Sequence, residues 1–281
     1  MRPMKILVLS NMYPGVRSLS FGIFVKNQVE ALRNKGHEVD VLACDDPRMG
    51  MRFVIPKYMK WILKILIHAA LRGKTYQIVH AHYLFPSGML GLLYKKLFDT
   101  KLIVTAHGGD VDRMARINQR LFNYTKKVLE AADHVIAVGE QLKHDIIHDF
   151  SIPIEKVSVV NMGVNCERFM PVKKEKAKQT LGLNPSKKHI LYVGNFIKAK
   201  GLEELFAAFQ MLKETDDELM LHLIGHNKEP DFYESLRSKA EDQMEGSIYF
   251  HPPKPQSELA LWMAAADLFV LPSLMEGLGL V

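Results

Sequence analysis

Cysteine is scarce in this sequence, with two residues among 281. Cys44 and Cys166 stand far apart and match neither a metal-binding spacing nor a redox motif. So sparse a set excludes a disulfide-stabilised secreted fold, and we expect two reduced thiols in a cytosolic protein.

Long hydrophobic runs are also missing, since no apolar stretch reaches the length of a membrane span. Residues 6–9 are too few for the core of a signal peptide and lead into a turn at residues 13–15, so we predict a strand there. We therefore expect a cytoplasmic protein, and we leave open a peripheral attachment to the inner face of a membrane.

The sequence also lacks a block of lysine and arginine interleaved with aromatic residues, so we expect no nucleic acid partner. The net charge of +6 is moderate and fits an anionic ligand or an anionic membrane surface. Hydrophobic residues make up 48% of the chain, which is enough for substantial cores, and the length allows two domains.

Short apolar runs alternate with longer helical patterns along the first half of the chain. The predicted strands are 5–9, 39–43, 78–80, 102–106, 134–138 and 157–161, and the predicted helices are about 22–35, 57–71, 86–98, 113–131 and 140–149. Strands separated by helices predict a parallel sheet with right-handed crossovers.

The same alternation restarts after the charged run 173–178, which we interpret as a solvated linker region. Strands are predicted at 189–193, 219–224, 247–251 and 268–271, with helices at about 201–213, 231–245 and 257–265. We therefore predict an α/β protein with two Rossmann-like domains, 1–168 and 169–281, facing a central cleft, the second of them incomplete.

Two loops have the composition of phosphate-binding turns. In the second half, a strand leads through Gly194 and Asn195 to Lys200-Gly201 and then to a helix, whose N-terminus could bind phosphate together with the lysine. In the first half, Gly22 opens a helix and would let a phosphate approach the backbone. A plain βα turn with an exposed lysine and a simple turn glycine are equally compatible with these patterns.

Histidines stand at the ends of two predicted strands. His80 and His82 end one strand, and His107 ends another, directly before Gly108-Gly109-Asp110. The intervening segments supply no further ligands at metal-binding spacing, so we expect no metal ion. We interpret His80 as a buried, hydrogen-bonded structural residue, and we favour a functional role over a core role for His107.

Taken in order, these motifs resemble a retaining glycosyltransferase of the GT-B fold, in family 4. The resemblance extends over almost the whole chain and is carried by residues 13–14 with Gly22, 36–39, 80–82 with 86–88, 107–110, 132–138, 161–165 with Phe169, 194–201, and 266–281. Each segment is common alone, whereas the ordered series is specific.

The resemblance implies a nucleotide-sugar donor whose diphosphate is neutralised by Lys200, with backbone donors from Gly22. Many relatives have arginine where this chain has Asn195, which can donate only a weaker hydrogen bond. The proposal usual for such enzymes is front-face attack, in which the departing diphosphate takes the acceptor's proton. No metal ion or other cofactor is then expected.

The resemblance also implies residues for the transferred sugar. His107 would lie near the reacting sugar as a catalytic residue, and Glu276 with the backbone of Gly277, Leu278 and Gly279 would hold the sugar hydroxyls.

The acidic motif of the family continues past the end of this sequence. Its second glutamate falls eight positions after Glu276, beyond Val281, so we expect a C-terminally truncated chain. The leading hypothesis is a glycosyltransferase acting on a glycan or lipid-linked acceptor in cell-envelope or exopolysaccharide biosynthesis. The alternative is a catalytically impaired remnant that binds nucleotide or a partner without turnover, and a nucleotide-sugar epimerase fits the Lys200 and Glu276 motifs less well.

Residues 57–72 form a basic amphipathic segment. Lys57, Lys60, Lys64, His68 and Arg72 share one helical stripe, and the remaining surface is apolar and includes the tryptophan at position 61. Such a helix could contact an anionic membrane surface. We favour the alternative, a crossover helix packed on the sheet with its lysines in solvent.

Overall fold

The computed structural model describes residues 2–18, 20–48, 50–274, 279 and 281. The chain folds into two compact units, Met1–Gly163 and Val164–Val281. Each unit is built around its own parallel sheet.

The first unit contains a six-stranded sheet in the order β2-β1-β3-β4-β5-β6, all parallel. Its elements are β1 (Lys5–Ser10), α1 (Ile23–Asn34), β2 (Glu38–Ala43), α2 (Met51–Arg72), β3 (Ile78–His82), α3 (Met89–Phe98), β4 (Lys101–Ala106), α4 (Gln119–Ala131), β5 (His134–Ala137), α5 (Glu140–Phe150) and β6 (Val157–Val159).

The second unit contains a four-stranded parallel sheet in the order β10-β7-β8-β9. Its elements are α6 (Lys174–Thr180), β7 (Lys188–Val193), α7 (Leu202–Lys213), β8 (Leu219–Ile224), α8 (Pro230–Gln243), β9 (Ile248–His251), α9 (Gln256–Ala265) and β10 (Leu268–Phe269).

Both sheets reverse their strand order beside their first strand. In the first unit β1 pairs with β2 on one side and with β3 on the other, and in the second unit β7 pairs with β8 and β10 in the same way. Loops diverge at such a point and leave a crevice at the carboxyl ends of the strands. The predicted α/β class, with two Rossmann-like sheets, is confirmed.

The strands are the apolar runs of the sequence because helices cover both faces of each sheet. Leu7 and Leu9 of β1 are fully buried, and Val25 and Val29 of α1 pack against the same sheet. In the second unit a larger cluster of aromatic and aliphatic side chains joins α7 and α8 to β7 and β8.

The charged run 173–178 is not a linker, and the prediction for it was wrong. Residues from Lys174 onward form α6, and Lys178 is buried, with 6% of its surface exposed. Its amino group donates to the Lys187 carbonyl at 2.9 Å and to the Asp267 carboxylate at 2.9 Å. A lysine with a buried stem and a paired ammonium group cannot be distinguished by composition from a solvated one.

The long helix predicted at 113–131 is also divided in the structure. A short turn spans Asp110–Met114, and α4 begins only at Gln119. The side chain of Asn118 accepts a hydrogen bond from the Leu121 amide at 2.9 Å, and this cap defines the start of the helix.

Helix α2 packs on the sheet through Trp61, Ile65 and Ala69, and the indole of Trp61 donates to the Leu42 carbonyl of β2 at 3.1 Å. The packing of α2 on the sheet as a crossover helix is therefore confirmed, and Trp61 lies on its sheet-facing side. His68 does not belong to a solvated cationic stripe, because its ring nitrogens lie 3.0 and 3.1 Å from the hydroxyls of Tyr94 and Tyr76.

An aspartate at the start of a strand repeats in both units. Asp133, just before β5, accepts from the Leu102 amide of β4 at 2.9 Å and from Lys95 at 2.6 Å. Asp267, just before β10, accepts from the His189 amide of β7 at 2.9 Å and from Lys174 and Lys178 at 2.8 and 2.9 Å. Each carboxylate thereby ties the amino ends of two neighbouring strands together.

Candidate active site

The carboxyl ends of β3 and β4 bring two histidines into direct contact. His82 is the last residue of β3, and His107 follows the last residue of β4. The Nδ1 atom of His82 lies 3.1 Å from the Nε2 atom of His107. The pair stands one strand from the point where the strand order reverses, which is where a ligand site is expected in this type of sheet.

Aromatic rings hold the imidazole of His107 in place. The ring centroids of Phe24 and Tyr83 lie 4.7 and 4.5 Å from that of His107. Tyr83 adopts a φ of 71°, a positive value that is unfavourable for a bulky residue. Such local strain at the mouth of a sheet is typical of a functional site.

Burial makes these histidines neutral at physiological pH. Burial, assisted by the nearby His80, lowers the pKa of His107 to about 3. The pKa of His82 is held well below its ordinary value by burial and then by the neighbouring histidines. Because the charged form is excluded, His107 can act as a neutral hydrogen-bonding group and not as a cation.

His80 has the structural role that we predicted. It is buried, and its Nε2 atom lies 2.8 Å from the hydroxyl of Thr105 on the neighbouring strand. Burial lowers the pKa of His80 to about 4. The prediction of a buried, hydrogen-bonded histidine is therefore confirmed.

Asp110 lies beside His107, and the sequence alone did not predict a role for it. Its carboxylate is buried and accepts hydrogen bonds from the amides of Leu84 and His107, both at 3.0 Å. It thus joins the loop after β3 to the loop after β4. Burial raises the pKa of Asp110 to about 6, and the two amide donors oppose that rise. The sequence feature that could have indicated this residue is its position three residues after His107, at the end of the run His107-Gly108-Gly109-Asp110.

Gly22 is the N-cap of α1, with a φ of 70°. A Cβ atom at this position would lie 2.5 Å from the carbonyl group of Met12, so the loop after β1 packs directly over the start of the helix. Chain packing is thus sufficient reason for a glycine here, and a phosphate contact for Gly22 stays a prediction.

In the second unit the loop after β7 joins the loop after β8. The amides of Gly194 and Phe196 donate to the carbonyls of Ile224 and His226, at 3.0 and 2.9 Å. Asn195 lies exposed between them, and its carbonyl accepts the Tyr192 hydroxyl at 2.9 Å.

Lys200 lies in the turn Lys198–Lys200, immediately before α7. Gly201 follows with a φ of 66°, and a Cβ atom there would lie 2.0 Å from the Pro272 carbonyl oxygen. The Leu274 amide donates to the Ala199 carbonyl at 3.1 Å. The segment after β10 therefore runs against the Lys200 loop, at the point where this sheet reverses its strand order.

The predicted sugar-binding residues Glu276, Gly277 and Leu278 lie outside the described residues. Gly279 is described and is exposed. The sugar-binding roles of these four residues and the catalytic role of Glu276 stay predictions. So do the role of His107 at the reacting sugar and the diphosphate roles of Asn195 and Lys200.

Among the described residues, no cluster of three or more histidine, cysteine, aspartate or glutamate side chains has the arrangement of a metal site. Within the same residues, no helix combines the length and the apolar character that crossing a bilayer requires.

Comparison with known proteins agrees with this architecture. The family described as Glycosyltransferase Family 4 matches residues 22–168, and the family described as Glycosyl transferases group 1 matches residues 173–281. The chain belongs to glycosyltransferase family 4, and its fold is GT-B.

Curated relatives carry glycosyltransferase names. A D-inositol 3-phosphate glycosyltransferase of Thermobispora bispora is 32% identical over 227 residues, which cover 73% of this chain and 51% of the relative. TuaC of Bacillus subtilis, a glycosyltransferase assigned to teichuronic acid biosynthesis, is 24% identical over 98% of this chain and 76% of its own. The chain spans about half the length of the first of these relatives.

Solved structures share the fold. A sucrose-phosphate synthase from Thermosynechococcus elongatus matches with a TM-score of 0.78 and 21% identity, over 99% of this chain and 77% of that one. The Anabaena protein HepE, solved in complex with UDP-glucose, matches with a TM-score of 0.67 and 17% identity, over 95% of this chain and 73% of that one.

Proposed function

We propose that the protein transfers a sugar from a nucleotide-sugar to a glycan or lipid-linked acceptor, with retention of the anomeric configuration. The observation that carries the proposal is the Lys200 loop, which ends on the N-terminus of α7 and packs against the segment after β10. A UDP-glucose complex of a protein with the same fold supports a nucleotide-sugar donor.

The diphosphate of the donor would bind at the start of α7. The N-terminus of this 12-residue helix carries the positive end of the helix dipole, and Lys200 directly before it adds a full charge. Asn195 would donate a hydrogen bond to the same group, and the family resemblance implies further backbone donors at Gly22.

The reaction itself would need positioning and electrostatic stabilisation of the leaving group. The acceptor oxygen forms a bond to the anomeric carbon while the bond from that carbon to the diphosphate oxygen breaks. The acceptor's proton passes to the departing diphosphate. His107 would contribute a neutral hydrogen bond to the sugar and Glu276 would bind its hydroxyls, and we propose no metal ion or other cofactor.

The test is release of nucleotide from UDP-glucose, and from other UDP- and GDP-sugars, in the presence of the protein. We expect release that falls at least tenfold in Lys200→Ala and His107→Ala, since each change removes a charge or hydrogen bond to the donor. Lys127→Ala on α4, where the lysine is exposed, is the control and should retain activity. Nucleotide binding without release would instead support the non-catalytic alternative.

We further propose a cytoplasmic protein that attaches to an anionic membrane surface through α2. The side of this helix that faces away from the sheet is apolar and exposed. Met51, Ile55, Met59, Leu63 and Ile67 follow one another at intervals of four residues, with 78, 56, 65, 58 and 52% of their surfaces exposed. An exposed apolar stripe of this length marks an interaction surface.

The charges on α2 favour a lipid surface over a protein partner. Residues 51–72 contain no aspartate or glutamate, and Lys60 and Lys64 are exposed beside the apolar stripe. Lys57 is not counted among the lipid-binding charges, because its amino group donates to the backbone carbonyls of Asp46 and Arg48 at 2.9 and 2.6 Å. Inserting the apolar stripe into the membrane surface would contribute roughly 1 kcal/mol of binding free energy per apolar side chain. Lys60 and Lys64 would each add about 1 kcal/mol through attraction to anionic lipid. Such a location suits an enzyme of cell-envelope polysaccharide synthesis.

Sedimentation with vesicles tests this attachment. We expect binding to phosphatidylglycerol vesicles and little binding to phosphatidylcholine. Lys60→Glu with Lys64→Glu, and separately Met59→Ser with Leu63→Ser, should each abolish it, and Lys127→Glu on α4 should not. Unchanged binding of both double variants would reject α2 as the contact surface.

A further inference from the structure

One N–H···N hydrogen bond joins His82 and His107. Both imidazoles are neutral, and a neutral imidazole carries one N–H and one acceptor nitrogen. The facing atoms, Nδ1 of His82 and Nε2 of His107, lie 3.1 Å apart, so one of them donates and the other accepts. The direction of this hydrogen bond determines the tautomer of both rings.

The other nitrogen of His82 decides between the two directions. Its Nε2 atom is buried, and no group in the described part of the chain forms a hydrogen bond with it. If His82 accepted at Nδ1, its N–H would lie at Nε2 and would be a buried donor without a partner. If His82 donates from Nδ1, Nε2 keeps only an unused lone pair, which structures tolerate better than an orphaned N–H.

We propose that His82 donates to Nε2 of His107 and thereby holds His107 in the tautomer protonated at Nδ1. His107 then presents a fixed N–H donor on the side of its ring away from His82. His107 is partly exposed whereas His82 is 0% exposed, so an N–H at Nδ1 of His107 is not left buried without a partner. The rings of Phe24 and Tyr83 restrict rotation of the imidazole, so the donor points in one direction.

The chemical consequence rests on the proposed function. A fixed N–H donor suits an oxygen acceptor, such as a hydroxyl of the transferred sugar. A free histidine would divide its population between two tautomers, and only one of them could make this hydrogen bond. His82 is therefore a positioning residue that acts through His107.

NMR of the imidazole nitrogens tests the tautomer directly. The protein is labelled with ¹⁵N-histidine at pH 7, and the His107 signals are identified by their loss in His107→Gln. We expect a protonated Nδ1 and an unprotonated Nε2 in His107. A protonated Nε2 in the unsubstituted protein overturns the proposal, and this readout requires neither a known substrate nor turnover.

Two substitutions of His82 separate positioning from packing. His82→Asn keeps an N–H near the original Nδ1 position and should preserve the His107 tautomer. His82→Leu removes the donor, and we expect His107 to populate the Nε2-protonated form. With UDP-glucose as the probe, His82→Leu should raise KM by about five- to tenfold, the loss of one hydrogen bond, and His82→Asn should restore it.

Failure of the tautomer and failure of the enzymatic role are distinguishable. If UDP-glucose is neither bound nor turned over, the NMR assignment still decides which nitrogen carries the proton. If both His82 variants raise KM equally while the His107 tautomer stays the same, the effect is one of packing and the positioning role is refuted.

Discussion

Replacement of Asp267 by asparagine should destabilise the second unit selectively. Three donors meet at this carboxylate: Lys174 at 2.8 Å, Lys178 at 2.9 Å and the His189 amide at 2.9 Å. Burial alone would raise the pKa of Asp267, but these three hydrogen bonds outweigh it and hold the pKa below its ordinary value. Asparagine keeps one acceptor oxygen and removes the charge.

The magnitude follows from the burial of the partners. The Lys178 side chain is 7% exposed and would keep a positive charge without its counter-ion, while Asp267 is 30% exposed. Removing one partner of a fully buried pair costs about 3–5 kcal/mol, and the partial exposure of Asp267 reduces that here to roughly 2–3 kcal/mol. In urea this corresponds to a fall of roughly 1–2 M in the unfolding midpoint.

The two tryptophans allow each unit to be followed separately. Trp61 is buried in the first unit and Trp262 in the second. In a Trp61→Phe background, fluorescence of Trp262 reports unfolding of the second unit, and Asp267→Asn should be compared with its parent in that background. The difference should shrink as pH falls below about 3.9, because a carboxylate with a depressed folded-state pKa stabilises above its unfolded pKa and loses that contribution below it.

Asp133→Asn is the matched control in the first unit. This substitution removes the same type of carboxylate, but Lys95, the partner of Asp133, is 31% exposed. Because water can solvate that lysine, the free energy of unfolding should fall by only about 1 kcal/mol. Asp133→Asn should leave the Trp262 transition unchanged. A loss at Asp267 no larger than the loss at Asp133 would refute the reasoning that burial of the lysine sets the cost.

Two further predictions concern the site loops. Gly201→Ala should lower the free energy of unfolding of the second unit by about 1–3 kcal/mol, because the φ of Gly201 is positive and the new Cβ would meet the Pro272 carbonyl oxygen at 2.0 Å. A urea titration measures this loss, and an unchanged unfolding midpoint would contradict the prediction. Asp110→Asn should cost about 1–3 kcal/mol in the first unit, because an amide cannot accept from both the Leu84 and His107 N–H groups. Since the pKa of Asp110 is raised to about 6, ionisation penalises the folded state as pH rises from about 4 to 6. The stability difference between protein and variant should therefore shrink over that interval, and a constant difference would refute the assignment.

The predicted fold followed from local patterns, because apolar runs bounded by turns and separated by helices define a parallel sheet. The orientation of α2 could not be predicted from local patterns. Apolar residues occupy most of the circumference of this helix, so composition could not show which side meets the sheet. The sequence favoured packing of this helix on the sheet, and the structure adds that Trp61 lies on the packed side. The tertiary partners of Lys178 lie in α9's connection to β10 and before β7, far along the chain, so its burial had no local signal.

The candidate site was predicted in part. Strand ends identified His107 and the Lys200 loop, since ligand sites in such sheets lie at the carboxyl ends. The contact between His82 and His107 is a property of two neighbouring strands, and the sequence order alone did not show that β3 pairs with β4. Asp110 was missed because an acidic residue after two glycines is more often a solvated turn residue than a buried acceptor.

The repeated aspartates connect stability to the site. Asp133 ties the start of β4 to β5, and His107 follows the other end of β4. In the second unit, Asp267 ties the start of β7 to β10, and the Lys200 loop follows the other end of β7. A six-residue strand is about 20 Å long and stiff along its length. The register set at its amino end therefore fixes where its carboxyl end projects. If this coupling holds, Asp267→Asn should weaken nucleotide-sugar binding by the Lys200 loop even at urea concentrations where the second unit stays folded, and Asp133→Asn should act in the same way on His107.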